Sequence, residues 1–375
     1  MKTFTYTSTP SRVVFGSGTV AEVGNEVHRL HRSRVLLLGG PRLTTVTTAI
    51  SEALGPLIVA RFDDATMHTP TEVTTRALAL AEKHAVDCVV AVGGGSTTGL
   101  SKALAARAGY DQIIVPTTYA GSEVTPVLGE TTDGVKTTRS GPEILPETVI
   151  YDVDLTVGLP TELTLTSAIN AMAHAVEALY SPETNPVIDS MAQGAIAAIT
   201  RALPIVMADP TNLDARADLL QSAWLAGQCL GADGMGLHHK LCHTLGGSFS
   251  LPHAPTHTVI LPHAMAYNAA AAPEVMAKIA DAMRVPDAAA GVYDLIAALG
   301  GPTSLAELGF TRENIDSATE LAIAKPYPNP RPVTGEGITD LLTAAYEGRR
   351  PGGGAAVPAA GQPSRAPSST TPPPR

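Results

Sequence analysis

The sequence is poor in residue types that mark several protein classes. It has three cysteines, one tryptophan and 4% aromatic residues among 375 positions. The cysteines Cys88, Cys229 and Cys242 show no CxxC spacing, which excludes a disulfide-stapled scaffold and favours a reducing compartment. We find neither a secretory leader pattern nor an apolar run near the roughly 20 residues of a membrane span. A cytoplasmic protein without membrane contact is therefore expected.

Charge is also sparse. Charged residues form 16% of the chain, and 35 acidic against 25 basic side chains give a net charge of -10. No basic field attracts a polyanion, so nucleic acid is not an expected partner. An anionic substrate needs a local cationic pocket instead. The hydrophobic content of 44% is ample for a core, and the length fits about two domains.

Short apolar runs alternate with helical patterns between residues 34 and 118. Runs such as VLLL at 35–38 and CVVAV at 88–92 are continuously apolar, as expected of strands buried on both faces. From Thr161, a candidate N-cap, the patterned segments have helical spacing. The sequence predicts a doubly wound parallel-sheet nucleotide-binding domain at 1–160 and an all-helical domain at 161–349. Residues 350–375, rich in Pro, Gly, Ala and Ser, are expected to form a disordered tail.

Two loops carry the signal for a nucleotide. Gly93, Gly94, Gly95 and Ser96 follow a buried strand and open a helix, so backbone N–H groups and the helix N-terminus can hold a pyrophosphate. A tight turn without a ligand is the alternative. The next strand ends in the hydroxyl-rich run PTTYAGSE at 116–123. Because open α/β sheets bind ligands at the carboxyl ends of their strands, the two loops together predict a nucleotide site.

Histidines are concentrated in the second half of the chain. Asn170 and His174 are spaced i, i+4 on a predicted helix, as are His239 and His243, so each pair projects from one helical face. His253 lies in a Pro-flanked segment, LPHAP, expected to be a loop directed at those helices. Converging imidazoles indicate a metal site, a proton-transfer site or both, whereas structural histidines are the alternative. His28, His31, His68 and His84 are assigned no role, and a structural role is favoured for His257 and His263.

These motifs occur in an order that resembles the iron-containing alcohol dehydrogenase superfamily. The order is GGGS, PTTYAGSEVTP, NAMAHAVEA at 170–178 and HKLCHTLGG followed by PH at 239–253. Within the superfamily, residues 1 to about 350 are most similar to the maleylacetate reductases. The segments TTDGVKTTRSGPEILPETVIYD and KPYPNPRPVT are the most specific to that branch. The resemblance implies the two-domain fold named above and an NAD(P)H-dependent oxidoreductase.

The resemblance also places the superfamily's metal ligands on Asn170, His174, His239 and His253. The first is an aspartate in metal-dependent members, and an amide is a much weaker ligand. We therefore expect no metal requirement. The alternative is an iron- or zinc-dependent alcohol or polyol dehydrogenase on the same fold, and a third reading is a nucleotide-binding module without turnover. Gly99 also departs from the GGGSxxD pattern of the superfamily.

By the resemblance, the expected reaction is reduction of the carbon–carbon double bond of maleylacetate to give 3-oxoadipate in the breakdown of aromatic compounds. By the resemblance, His243 is the proton donor near the nicotinamide. His239 and His253 polarise or anchor the substrate, and Asn170 and His174 complete the polar pocket.

The cofactor is expected to be NADH or NADPH, held by Gly93, Gly94, Gly95, Ser96, Thr117, Thr118, Ser122 and Lys136. Candidates for the two substrate carboxylates are Arg139, Lys240 and Tyr327, with Arg331 as a further possibility. The resemblance further implies a homodimer.

Overall fold

The computed structural model describes residues 3–7, 11–40, 44–132, 135–232 and 236–352. Its first half contains one parallel sheet. The strands of this sheet are β1 (Arg12–Gly16), β2 (Val35–Leu38), β3 (Ile58–Phe62), β4 (Cys88–Gly93), β5 (Asp111–Pro116) and β8 (Thr148–Asp152). The helices of this half are α1 (Val23–Arg29), α2 (Thr44–Leu54), α3 (Thr71–Lys83) and α4 (Gly95–Ala108).

The sheet is buried on both faces, as the continuous apolar runs predict. Leu36 and Leu38 of β2 face one side with Val89 of β4 and pack in a cluster with α3, α4 and the second half of the chain. Val35 and Leu37 face the other side and pack with α1 and α2. Successive residues of a strand point to opposite faces, so only apolar side chains throughout the strand can cover both layers.

The strand order β1-β8-β5-β4-β2-β3 creates a crevice at the carboxyl edge. The chain leaves β2 toward one edge of the sheet and leaves β4 toward the other. A crevice therefore opens where neighbouring connections diverge, which is where open α/β sheets bind ligands. Gly93 at the end of β4 is in register with Pro116 at the end of β5, so the two loops predicted to bind a nucleotide start side by side.

A separate antiparallel hairpin follows β5. It consists of β6 (Val127–Thr132) and β7 (Val135–Ser140), and the sequence reasoning did not identify it. Its strands carry Gly, Thr and charged residues in place of a clear apolar alternation, so the periodicity that reveals the central strands is weak here.

After residue 160 the described chain contains helices and no strand. The long helices are α5 (Thr161–Tyr180), α6 (Pro186–Ala208), α7 (Leu213–Ala232), α8 (Leu237–Phe249), α9 (His253–Asn268), α10 (Pro273–Met283), α11 (Ala288–Ala298), α12 (Ile315–Ile323) and α13 (Gly335–Glu347). The parallel sheet followed by helices confirms the predicted fold class. One apolar cluster joins the sheet to α5, α6 and α7, and the division into two domains at residue 160 stays a prediction.

Two sequence predictions about segment ends are wrong. Thr161 is the first helical residue of α5 and not its cap, because the extended backbone of Pro160 holds the N-cap position and its carbonyl accepts from the Thr164 N–H at 2.8 Å. Residues 350–352 belong to the folded chain, since Arg350 donates two 2.7 Å hydrogen bonds to the Asp294 carboxylate. The rest of the predicted tail, 353–375, lies outside the described residues.

Helix α6 is long and apolar enough, by length and composition, to cross a membrane, contrary to the expectation that no such segment exists. One side of the helix is buried in the cluster shared with α5 and α7, at positions such as Ile188, Ile196 and Leu203, whereas Val187 and Ile205 are exposed. Polar residues including Asp189 and Arg201 occupy the other side. This one-sided burial is typical of a core helix.

Candidate functional site

A cleft of about 630 Å³ lies between the carboxyl edge of the sheet and helices α5, α8 and α9. On the sheet side it is lined by Gly95, Ser96, Thr118 and Ser122. On the helical side it is lined by Asn170, His174, His239, His243 and His253. The fold thus brings residues from both predicted groups to one cavity.

The glycine loop forms the floor of the sheet side. Gly94 is the N-cap of α4, and a Cβ on Gly94 would lie 3.0 Å from Cγ2 of Thr118. A Cβ on Gly95 would meet no atom within 4 Å, so the space beside it is open. Gly93 has a φ of 140°, and its carbonyl accepts from the Thr117 N–H. Gly93, Gly94 and Thr117 are not among the lining residues and support the loop from behind.

Lys102 is a lining residue that the sequence reasoning missed. Its Nζ donates to the carbonyls of Ser122 at 2.5 Å, Thr125 at 2.7 Å and Val127 at 3.0 Å. Burial lowers the pKa of Lys102 to about 7, and the nearby Glu123 carboxylate opposes that shift. The ammonium therefore ties α4, which starts at the glycine loop, to the loop that carries Ser122.

The space at Gly99 is filled by a neighbouring residue. A Cβ on Gly99 would lie 2.3 Å from the hydroxyl oxygen of Thr69. Thr69 itself has a φ of 47°, a left-handed conformation that is uncommon outside glycine. The Thr69 hydroxyl thus takes the volume in which the superfamily's aspartate would start.

The helical side is built from three helices. Asn170 and His174 lie one turn apart on α5 and are both buried. His239 and His243 also lie one turn apart, on α8. His253 is the first residue of α9 with Pro252 as its N-cap, so the predicted loop is in fact a helix start. Proline is well tolerated there because the first N–H groups of a helix have no intrahelical partner.

Glu177 orients one of these histidines. Its Oε2 lies 2.6 Å from Nδ1 of His239 and also accepts from the Gly236 N–H at 2.9 Å, while Oε1 accepts from the His238 N–H at 2.7 Å. A carboxylate only accepts, so Nδ1 of His239 carries a proton. Nε2 of His239 is buried without a hydrogen-bond partner in the described chain and is the atom left for the cleft.

The imidazoles are close enough to influence one another. The ring centroids of His174 and His239 are 4.9 Å apart, and those of His253 and His257 are 4.4 Å apart. Burial, followed by repulsion from neighbouring imidazoles, holds the pKa values of His174, His238 and His257 well below the usual range. These three rings are therefore neutral near pH 7 and act as hydrogen-bonding groups.

The residues at the superfamily's metal positions do not fit a divalent ion well. Asn170 provides a neutral amide oxygen where a carboxylate would offset the charge. Among the described residues, one group of His, Cys, Asp or Glu side chains has its ligand atoms within 4.8 Å of one another. This group is His238, Cys242 and His257, and it includes none of the superfamily's metal positions. The orphaned Asn170 Oδ1 and His239 Nε2 are instead available to a polar substrate.

The three candidates for a carboxylate clamp do not line the cleft. Arg139 is an exposed residue of β7, and Lys240 is a half-buried residue of α8. Tyr327 is half-buried, and burial raises its pKa. Arg331 stacks 4.1 Å from the ring centre of Tyr267, near a different cavity. A cationic group or a hydroxyl can bind a carboxylate, but the residue type alone does not give the direction of the side chain.

The predicted cofactor contact Lys136 lies on β7, but its side chain is outside the described residues.

Glu177, Lys102 and His68 are among the site residues that sequence reasoning missed. Glu177 stands in an almost wholly apolar stretch of α5, and Lys102 stands among small and apolar residues of α4. A charged residue within a buried helical pattern is itself a signal, because burying it without a partner is costly. His68 has a φ of 65° and lines the cleft, which no local pattern indicated.

Comparisons with known proteins agree with this architecture. The family model of iron-containing alcohol dehydrogenases matches residues 10–153, and that of the C-terminal part of the Fe-containing alcohol dehydrogenase family matches residues 164–346. Maleylacetate reductase 1 of Rhodococcus opacus is 58% identical over 93% of this chain and 98% of its own length.

Two solved structures extend the comparison. The crystal structure of maleylacetate reductase from Rhizobium sp. has a TM-score of 0.89 and 52% identity, over 94% of this chain and all of its own. A 1,3-propanediol oxidoreductase has a TM-score of 0.87 and 28% identity, over 92% of this chain and 100% of its own.

Proposed function

The chain belongs to the maleylacetate reductases of the iron-containing alcohol dehydrogenase family, and we propose that it reduces the carbon–carbon double bond of maleylacetate with NADH or NADPH to give 3-oxoadipate. The observation that carries the proposal is that one cleft is lined by the glycine loop on one side and by Asn170 and the histidines on the other. Each half alone has a structural explanation, whereas their juxtaposition suits hydride transfer coupled to proton transfer.

The residues present fit the cofactor. Backbone N–H groups at Gly95 and Ser96, at the start of α4, are placed for a pyrophosphate, with room beside Gly95. Thr118 and Ser122 line the path toward the histidines. When bound, NAD(P)H supplies a hydride to the substrate carbon β to the ketone.

The chain's own groups then have to hold negative charge and deliver one proton. Addition of hydride to the double bond develops enolate charge on the ketone oxygen, and hydrogen-bond donors at that oxygen stabilise it. His239 and His253 are the proposed donors, with Asn170 and His174 as polar neighbours. His243 gives its proton to the carbon α to the ketone, which completes the reduction and leaves a neutral imidazole that takes a proton from solvent.

Glu177 prepares His239 for this role. Its carboxylate, 2.6 Å from Nδ1, fixes the ring and stabilises positive charge on it, so that Nε2 carries its proton toward the substrate when the ring is protonated. This arrangement lets imidazole do work for which an alcohol dehydrogenase uses a metal, because a delocalised enolate needs less stabilisation than an alkoxide.

A metal-dependent alcohol or polyol dehydrogenase is the second candidate, and the 28% identity to a 1,3-propanediol oxidoreductase makes it worth testing. The amide of Asn170 argues against it. Cytoplasmic location and a homodimer are further parts of the proposal, and both rest on the family.

The test compares two reactions on the full chain before and after exhaustive chelation. We expect oxidation of NADH or NADPH with maleylacetate at an unchanged rate after chelation, and no turnover of propanediol with NAD. Running both reduced cofactors also measures the preference that the sequence leaves open. Turnover of propanediol that chelation abolishes would replace the proposal with the dehydrogenase reading.

A further inference from the structure

Beside the cleft lies a second group of ligating side chains that the proposed reaction does not use, and one of them, His257, also lines the cleft. His238 and Cys242 are spaced i, i+4 on α8, and His257 faces them from the first turns of α9. Nε2 of His238 is 2.9 Å from Nδ1 of His257 and 3.8 Å from Sγ of Cys242. The three residues are 0%, 2% and 0% exposed for His238, Cys242 and His257.

We propose that His238, Cys242 and His257 form a binding site for a soft divalent ion of the zinc class, separate from the superfamily's metal positions. Thiolate and imidazole are the ligands that zinc prefers, with Zn–N distances of about 2.0–2.1 Å and Zn–S distances of about 2.3 Å. Such bonds need ligand nitrogens about 3.3 Å apart. The observed 2.9 Å separation therefore has to widen by only a few tenths of an ångström.

The proton balance of binding is simple. Cys242 loses its thiol proton to solvent and binds as thiolate. The hydrogen between Nε2 of His238 and Nδ1 of His257 has to move to the other nitrogen of the ring that carries it. Those nitrogens, Nδ1 of His238 and Nε2 of His257, have no hydrogen-bond partner in the described chain, so either can receive it.

The Cys242 thiolate gives this group an anionic ligand, which Asn170, His174, His239 and His253 lack. Glu177 adds a second negative charge that both groups share, since its Oε1 accepts from the His238 N–H at 2.7 Å and its Oε2 lies 2.6 Å from Nδ1 of His239. Together the thiolate and this carboxylate offset the charge of a divalent ion and lower the free-energy cost of burying it. The three protein ligands leave a fourth position for water or a small anion.

The test uses cobalt(II) as a spectroscopic probe on the chelator-treated full chain. We expect a thiolate-to-cobalt charge-transfer band that saturates at one ion per chain and disappears when zinc is added. Cys242→Ala should abolish the band. Cys229→Ala is the matched control, because Cys229 is also a buried helical cysteine and should leave the band unchanged.

Circular dichroism checks that the variants fold, and Cys242→Ser provides a more conservative version should Cys242→Ala unfold. Absence of a thiolate band in the native chain would overturn the proposal. So would a band that survives loss of the Cys242 sulfur, or a cobalt spectrum without thiolate character that Asn170→Asp strengthens, which would place the ion at the superfamily's positions. The result does not depend on the reaction proposed above, since no turnover is measured.

Discussion

The two walls of the cleft are built on different principles. The sheet wall offers backbone N–H groups at Gly95 and Ser96, and the missing side chain of Gly95 leaves open space beside them. The helical wall uses imidazoles whose behaviour depends on what lies behind them, as Glu177 lies behind His239 at 2.6 Å. A site made of backbone groups is therefore determined by one short segment of the chain. A site made of side chains is determined by contacts between segments that are distant in the sequence.

The largest expected effect is on the helical wall. His243→Ala should lower kcat by about 10²–10⁴-fold, the usual contribution of a general acid, and leave the KM for the cofactor nearly unchanged. Steady-state kinetics with maleylacetate measure both constants. His28→Ala, on the exposed side of α1, is the control and should behave like the native chain. Unchanged kcat in His243→Ala would remove this residue from the mechanism.

The next largest effect tests whether the histidines of the helical wall depend on the Glu177 carboxylate behind them. Glu177→Gln keeps the side-chain volume but places an amide against groups that all donate, so we expect kcat to fall about 10–100-fold, as for other carboxylate–histidine pairs. The pH profile of kcat should also shift, because the charge beside His239 is gone. Tyr180→Phe is the matched control, since the Tyr180 hydroxyl contacts the same carboxylate at the longer distance of 3.3 Å. Equal losses in the two variants would indicate a merely structural role for Glu177.

The third effect is on stability and again concerns only the helical wall. Burial depresses the folded pKa values of His174, His238 and His257, whereas the unfolded chain titrates near pH 6.5. The unfolded state thus binds protons that the folded state does not, and stability is lost as pH falls below about 6.5. Between pH 7 and pH 6 the three rings together should lower the free energy of unfolding by about 2 kcal/mol.

Denaturant unfolding at the two pH values measures this difference. His257→Gln should remove roughly a third of the pH dependence that these three rings contribute, and His28→Ala, at an exposed position, is the control. A stability that is flat between pH 7 and pH 6 would mean that the buried rings are already charged in the folded state.

The same contrast explains what could be predicted from sequence. The strands at 35–38 and 88–93 were recognisable because burial on both faces demands unbroken apolar runs. The i, i+4 pairs on α5 and α8 were recognisable because helical spacing is local. The hairpin β6–β7 was missed because its alternation is weak.

Partners across the fold were beyond the reach of sequence reasoning. Glu177 and His239 are separated by 62 positions, and the contacts of Lys102 lie 20 to 25 positions away. The clamp candidates Arg139, Lys240 and Tyr327 do not line the cleft, and their role stays a prediction. The identity of a polar residue in the sequence does not say which cavity its side chain faces.

The smallest expected effect is on the sheet wall of the cleft, at Gly95. A methyl group at Gly95 would meet no protein atom within 4 Å, so Gly95→Ala should fold normally, yet the methyl would occupy space where the pyrophosphate is proposed to lie. We expect the KM for NAD(P)H to rise about 10-fold, equivalent to about 1.4 kcal/mol of binding. The kcat at saturating cofactor should change little, which is the opposite pattern from His243→Ala.

Gly247→Ala is the matched control for this variant, because Gly247 is an exposed helical glycine that also has no atom within 4 Å of an added Cβ. Both substitutions should leave Tm unchanged or slightly raised, since alanine favours the helix. Thermal unfolding and cofactor titration of the two variants measure these quantities side by side. A cofactor KM that rises equally in both, or in neither, would mean that the glycine loop is only a tight turn, and the backbone wall would lose its role in binding.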